Sequence, residues 1–186
     1  MNFAIRPTTK ADCKDIWRLL RDLAIHENML NHMRVTYEEL ERDAFSQNPW
    51  FESLVAEVPE ENKSKEGFRT VGLAVYFYSY STWKGRTVYL EDLYVMPEFR
   101  GHTTNVTKRL GIGNNLLSTL AKVARQKQCV QLELNVLGQN ISSRSFYAAK
   151  GAEDITVRDD WHTLRFDAQS LNNLDLLENG RKGNLM

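Results

Sequence analysis

One stretch of this chain limits its folding options more than any other. Residues 88–101 read Val-Tyr-Leu-Glu-Asp-Leu-Tyr-Val-Met-Pro-Glu-Phe-Arg-Gly, and after nine further residues come Gly111-Ile112-Gly113 and a helical pattern over Asn114–Lys127. Within Val88–Val95, Val88, Leu90 and Tyr94 alternate with Tyr89, Leu93 and Val95. Apolar side chains on both faces mark a central strand covered on both sides. This strand runs into a basic, Gly-bearing loop that opens a helix. Backbone N–H groups and a helix N-terminus at such a junction form a seat for an anion. Alternation sends Glu91 and Asp92 to opposite faces of this mostly buried strand. Burying a carboxylate is costly unless it is paired or put to use. A structural ion pair and a functional role both remain open for them.

The other elements follow from local pattern. Phe3–Pro7 reads as a first strand. Thr9-Lys10-Ala11-Asp12 resembles a capping box, and Ile16, Leu19, Leu20 and Leu23 recur at helical spacing to about Glu27. Thr36-Tyr37-Glu38-Glu39 opens a second helix through about Phe45, which Asn48-Pro49 ends. Phe51–Val58, Thr70–Tyr80 and Thr87–Val95 read as strands, the last two joined by a turn at Ser81–Arg86. Pro59–Arg69 is a loop. The helix Asn114–Lys127 is expected to bury Leu116, Leu117, Leu120, Val123 and Ala124. Val130–Val136 predicts a strand and Ile141–Lys150 a helix, with Gly151 as its C-cap glycine. Ile155–Val157 and Trp161–Phe166 suggest a closing strand pair. The order β-α-α-β-β-β-α-β-α-β predicts a mixed α/β fold with an antiparallel front half. One domain over residues 1–168 is expected, with a tail, 169–186, that carries little pattern and is partly disordered.

Composition closes off some functions. The 24 basic and 24 acidic residues cancel, so no global field points to nucleic acid or an anionic membrane. No apolar run approaches the roughly 20 residues of a membrane span, and the N-terminus lacks a signal-peptide pattern. Two cysteines, Cys13 and Cys129, fit a reduced cytosolic protein better than a disulfide scaffold. The four histidines lack metal-ligand spacing and no CxxC is present, so no metal is expected. Arg100-Gly101 with Gly111-Ile112-Gly113 would suit a pyrophosphate, although there is no Walker lysine motif and no strand–GxGxxG–helix fingerprint. Tyr147 follows Asn140 by seven residues, just before Gly151. It either packs or presents a phenol able to protonate a leaving group.

Together these segments resemble the GNAT superfamily of acetyl-CoA-dependent N-acetyltransferases, and more closely its spermidine/spermine (diamine) acetyltransferase family. The resemblance rests on Ile5-Arg6-Pro7, Asp12-Cys13, Leu54-Val55-Ala56-Glu57, Tyr89 through Met96, Arg100-Gly101, Gly111-Ile112-Gly113, Asn140 and Phe146-Tyr147. It runs from about residue 3 to 167. Tyr80 through Thr87, followed by Met96-Pro97, is similar to the branch associated with thialysine acetylation. The polyamine branch usually has an acid where Ser81 stands.

The resemblance implies a GNAT acyltransferase fold, a central mostly antiparallel sheet flanked by about four helices. It implies acetyl-CoA as co-substrate, a small-molecule amine as acceptor and a homodimer, while composition and charge point to a cytoplasmic protein with no nucleic-acid or membrane partner. A primary amine has a pKa near about 10.4 and must lose a proton before it attacks. By resemblance Glu91 acts as base through water and Asp92 supports it electrostatically. Backbone N–H groups of Leu93, Tyr94 and Val95 would hold the pantetheine. Arg100, Gly101, Gly111, Ile112, Gly113 and Asn114 would seat the pyrophosphate, and Asn140, Ile141, Ser142 and Ser143 would line the cofactor. Tyr147 would protonate the leaving thiolate. His26, Glu27, Glu133, Leu134 and Asn135 match substrate-contacting positions.

The chain also departs from the family. Relatives have one residue between Arg-Gly and Gly-x-Gly, where this chain has nine, His102–Leu110. Either Arg100-Gly101 starts the loop and the insert bulges out, or Lys108-Arg109-Leu110 takes its place. Gln139 stands where relatives carry Trp, and His26 where an aromatic is common. A Ser81 in place of an acid, with Lys84 and Arg86 nearby, favours an amino acid such as thialysine, whose carboxylate a basic residue meets. Two rivals remain: a catalytically impaired binding protein, and a protein-lysine acetyltransferase.

Overall fold

The computed structural model describes residues 2–101, 111–160 and 162–180. The insert His102–Leu110, on which the two alignments turn, lies outside the described residues, as do Trp161 and residues 181–186. The chain divides into two compact units, Met1–Asn135 and Val136–Met186.

The first unit contains β1 (Ala4–Pro7), α1 (Cys13–His26), α2 (Tyr37–Phe45), β2 (Glu52–Glu57), β3 (Thr70–Ser81), β4 (Gly85–Val95), α3 (Ile112–Gln126) and β5 (Gln131–Leu134). The five strands form one sheet in the order β1-β2-β3-β4-β5. The first four pair antiparallel, and β5 pairs parallel to β4. This is the mixed α/β architecture that the sequence pattern predicts. Both capping boxes form, at Thr9 with Asp12 and at Thr36 with Glu39. The Arg6 guanidinium reaches both Asp12 oxygens at 2.8 Å and Glu57 at 3.1 Å, tying β1, the start of α1 and β2 together. That hydrogen bonding holds the Asp12 carboxyl down at about 2.

Helix α3 begins two residues earlier than the pattern suggests, because Gly111 adopts a left-handed φ of 68° and turns the chain into it. Its buried face is Ile112, Leu116, Leu120 and Ala124, while Leu117 and Val123 are only half-buried. The helix presses on β3 at Gly72. A Cβ there would lie 3.1 Å from Ile112, 3.2 Å from Ala56 and 3.3 Å from Leu116. Gly72→Val is therefore expected to cost about 1–3 kcal/mol by overpacking, read as a lower urea midpoint at unchanged slope.

The second unit contains α4 (Ile141–Ala148), α5 (Ile155–Arg158) and α6 (Ala168–Gly180). The expected closing strand pair is absent among its described residues. Asp154 caps Ile155–Arg158 by accepting from the Thr156 N–H at 3.1 Å, and the cap overrides the β-branched run. Residues 162–167 carry no strand. Asp167 accepts from the Ser170 N–H at 2.8 Å at the start of α6, where the sequence pattern suggested no element.

Candidate active site

The site grows from an irregularity in β4. In the β3–β4 register Val75 faces Asp92 and Tyr76 faces Leu90, so Glu91 has no partner. It is the extra residue of a β-bulge. The bulge breaks the alternation expected from sequence and turns Glu91 out to solvent, so it is exposed rather than buried. Asp92 stays half-buried. The β4–β5 ladder stops at the same place, with Leu90 opposite Leu134 as its last pair. Beyond it, β4 runs on to Val95 with its β5-side edge open.

Strand alternation sets which groups that edge presents. The Met96 N–H donates to Val71 at 2.9 Å, across β3. Counting back, the Tyr94 N–H also faces β3, whereas the N–H groups of Leu93 and Val95 face the open edge. Gly72, under the first turn of α3, lies opposite Val95 in the register. The open edge therefore leads toward the start of α3. The N–H groups of Ile112, Gly113 and Asn114 have no partner within that helix, and Asn115 Nδ2 braces the turn by donating to the Gly111 carbonyl at 2.9 Å.

Carboxylates gather around the bulge. Burial, then the charges of Glu91 and Glu27, push the Asp92 carboxyl up to about 6. Glu27 follows the last residue of α1, so that helix brings it to Asp92. Tyr89 faces Glu133 across the β4–β5 ladder, and its phenol is raised by burial and by Glu91 and Glu133. The Phe77 ring stacks on Tyr89 at 5.0 Å. No ion pair among the described residues engages Glu27, Glu91, Asp92 or Glu133. Gln131 donates to Glu133, Leu134 is half-buried and Asn135 exposed. Uncompensated negative charge beside an aromatic pair suits a cation.

Arg100 does something the sequence does not signal. Its Nε donates to the Val95 carbonyl at 2.6 Å, its Nη1 lies 3.2 Å from His26 Nε2, and its guanidinium sits 5.1 Å from the centre of the Tyr94 ring. Burial pushes the Arg100 pKa down. Gly101 is exposed at the turn that follows. Arg86, considered above as a carboxylate partner, is instead tied to the Lys127 carbonyl at 3.2 Å and Gln128 at 3.0 Å. It stands five residues before Glu91, about 17 Å along the strand, so that role does not fit it.

The second unit carries the remaining candidates on one helix. Asn140 caps α4, its Oδ1 accepting from the Ser143 N–H at 3.1 Å. Ile141 and Ser142 are exposed and Ser143 is half-buried. Tyr147 lies in the last turn, its ring edge-on to Phe146 at 5.2 Å. Among the described residues no group of three His, Cys, Asp or Glu side chains is arranged to hold a metal ion, and no helix is long and apolar enough to cross a membrane.

Residues 17–152 match the acetyltransferase (GNAT) family. The thialysine N-epsilon-acetyltransferase of Bos taurus is 39% identical over 170 residues, covering 91% of this chain and 95% of that protein. The human spermidine/spermine N(1)-acetyltransferase-like protein 1 is 38% identical over 169 residues, 91% of this chain but 23% of that longer protein. Among solved structures, an integron cassette protein from V. cholerae superposes with a TM-score of 0.69 at 23% identity, covering 94% of this chain and 98% of that one. At that identity the likeness speaks to the fold alone.

Proposed function

The chain belongs to the acetyltransferase (GNAT) family, and from that premise we propose that it moves an acetyl group from acetyl-CoA to the primary amine of a small diamine, polyamine or thialysine-like amino acid. One observation carries the reading: β4 loses its β5 partner at the residue where Glu91 bulges, which leaves a hydrogen-bonding edge beside a cluster of unpaired carboxylates. The edge fits the amides of pantetheine, and the first turn of α3 fits a pyrophosphate. Acetyl-CoA, when bound, supplies the activated acetyl thioester.

The chain's own groups then have distinct tasks. Leu93 and Val95 offer edge N–H groups to the pantetheine and the thioester carbonyl. Gly111, Ile112, Gly113 and Asn114 receive the pyrophosphate, with Gly101 at the loop start. Glu27, Glu91, Asp92 and Glu133 attract the ammonium. Glu91, exposed at the bulge, takes the proton through water as the nitrogen attacks, so that a C–N bond forms and the C–S bond breaks. Tyr147 returns a proton to the departing sulfur. Tyr147→Phe is expected to lower kcat about tenfold with little change in KM, measured as thiol release.

Thialysine is the favoured acceptor. The relative named for it is 39% identical over nearly its whole length. Ser81, where the polyamine branch has an acid, accepts from the Trp83 and Lys84 N–H groups at 3.3 and 3.2 Å and so closes a turn that carries Lys84 and no acid. Thermal unfolding with acetyl-CoA tests the cofactor half of the proposal. At one hundred times Kd the ligand is expected to add about 2.7 kcal/mol of stability. An unchanged melting temperature at saturating acetyl-CoA would remove it.

A further inference from the structure

Arg100 holds a half-buried charge with no carboxylate within ion-pair distance among the described residues. Two of its hydrogen bonds reach different walls of the site. One, at 2.6 Å, closes on the carbonyl of Val95, the residue whose N–H faces the open edge of β4. The other meets His26 Nε2, at the last residue of α1. A guanidinium only donates, so His26 Nε2 is the acceptor in this contact. The Tyr94 ring lies against the guanidinium and keeps it in place.

From these contacts we propose that Arg100 is a positioning residue that locks the end of β4 to the end of α1, rather than a direct contact to the cofactor's pyrophosphate. The inference rests on the acetyl-transfer reading above. Its consequence runs through Glu27, the residue next to His26. Glu27 acts on Asp92, so the place of α1's end sets the field around the bulge. Charge-assisted bonds such as that to Val95 are the stronger kind, so losing Arg100 frees the Val95 carbonyl and the α1 terminus together. An edge N–H aimed wrongly at the thioester, and a Glu27 displaced from the amine, both act on the chemical step.

A donor without the pyrophosphate separates the two roles. S-acetylpantetheine keeps the thioester and both amides but has no nucleotide. Arg100→Ala is expected to lower kcat/KM about tenfold with S-acetylpantetheine and with acetyl-CoA alike. His26→Leu is expected to show the same pattern, and the double variant to be no worse than Arg100→Ala, because both break one linkage. Circular dichroism checks the fold. If Arg100→Ala does not fold, Arg100→Lys keeps the charge but lacks the fork that reaches both acceptors, and the same parallel loss is expected. Loss confined to acetyl-CoA, with S-acetylpantetheine turnover within twofold of wild type, would overturn the inference in favour of a pyrophosphate contact. Additive losses in the double variant would overturn the His26 link. No transfer by the wild type from either donor would remove the acetyl-transfer reading, and this inference with it.

Discussion

Glu91→Gln is expected to lower kcat/KM for the amine about a hundredfold, the lower range for loss of a general base, while the protein unfolds at nearly its original temperature. The small stability effect follows from the bulge. Glu91 has no strand partner, is exposed, and makes no hydrogen bond or ion pair among the described residues. Gln keeps the shape and removes both the proton acceptor and the charge that draws in an ammonium. The loss should therefore divide between kcat and KM. Lost attraction raises KM, and lost proton transfer lowers kcat. Stopped-time assays of thiol release over a range of amine concentrations measure both. Unchanged kcat with intact fold would take the base role from Glu91.

Asp92→Asn is expected to do something different: to strengthen the fold at pH 8 while weakening turnover by tenfold or more. Burial and the neighbouring Glu91 and Glu27 raise the Asp92 carboxyl from 3.8 to about 6. A raised folded pKa means that the folded chain binds the extra proton between about pH 4 and pH 6. Stability from that proton is present at low pH and is lost as pH rises through 6. Above that, charged Asp92 weakens the fold by on the order of 2–3 kcal/mol. Asn removes the charge, so the variant should gain stability at pH 8 and gain progressively less toward pH 5. Urea unfolding at both pH values checks it. A variant less stable than wild type at pH 8 would show that Asp92 is held by a compensating partner. A site that keeps like charges together at a cost in stability is the usual pattern where those charges are used.

Much of this fold is legible in the sequence because its signals are local. The two capping boxes, the helical spacing of Ile16 and Leu19, and the β-branched runs of β2, β3 and β4 each point to the element that forms. The errors arise where a short polar group overrides a weak apolar pattern. Asp154 turns the expected strand Ile155–Val157 into part of a helical turn, Ile155–Arg158, and Asp167 caps a helix where no element was expected. Candidate residues stand out in the sequence, whereas their geometry does not. Glu-Asp inside an apolar strand is a visible anomaly, yet whether it makes two buried faces or a bulge depends on the partner strand's register. The Arg100–His26 contact joins residues 74 apart and leaves no local trace. The same holds for Arg86, which looks free in sequence and caps the end of α3 in space.

Transfer itself is the most direct test of the proposed activity. Purified protein of this sequence is mixed with acetyl-CoA and equal concentrations of thialysine and spermidine, and the acetylated products are separated and weighed by mass spectrometry. N-acetylated product is expected from both amines, thialysine ahead, with one thiol released per acetyl group moved. Intact amines after exhaustive incubation, with acetyl-CoA unconsumed, would contradict it.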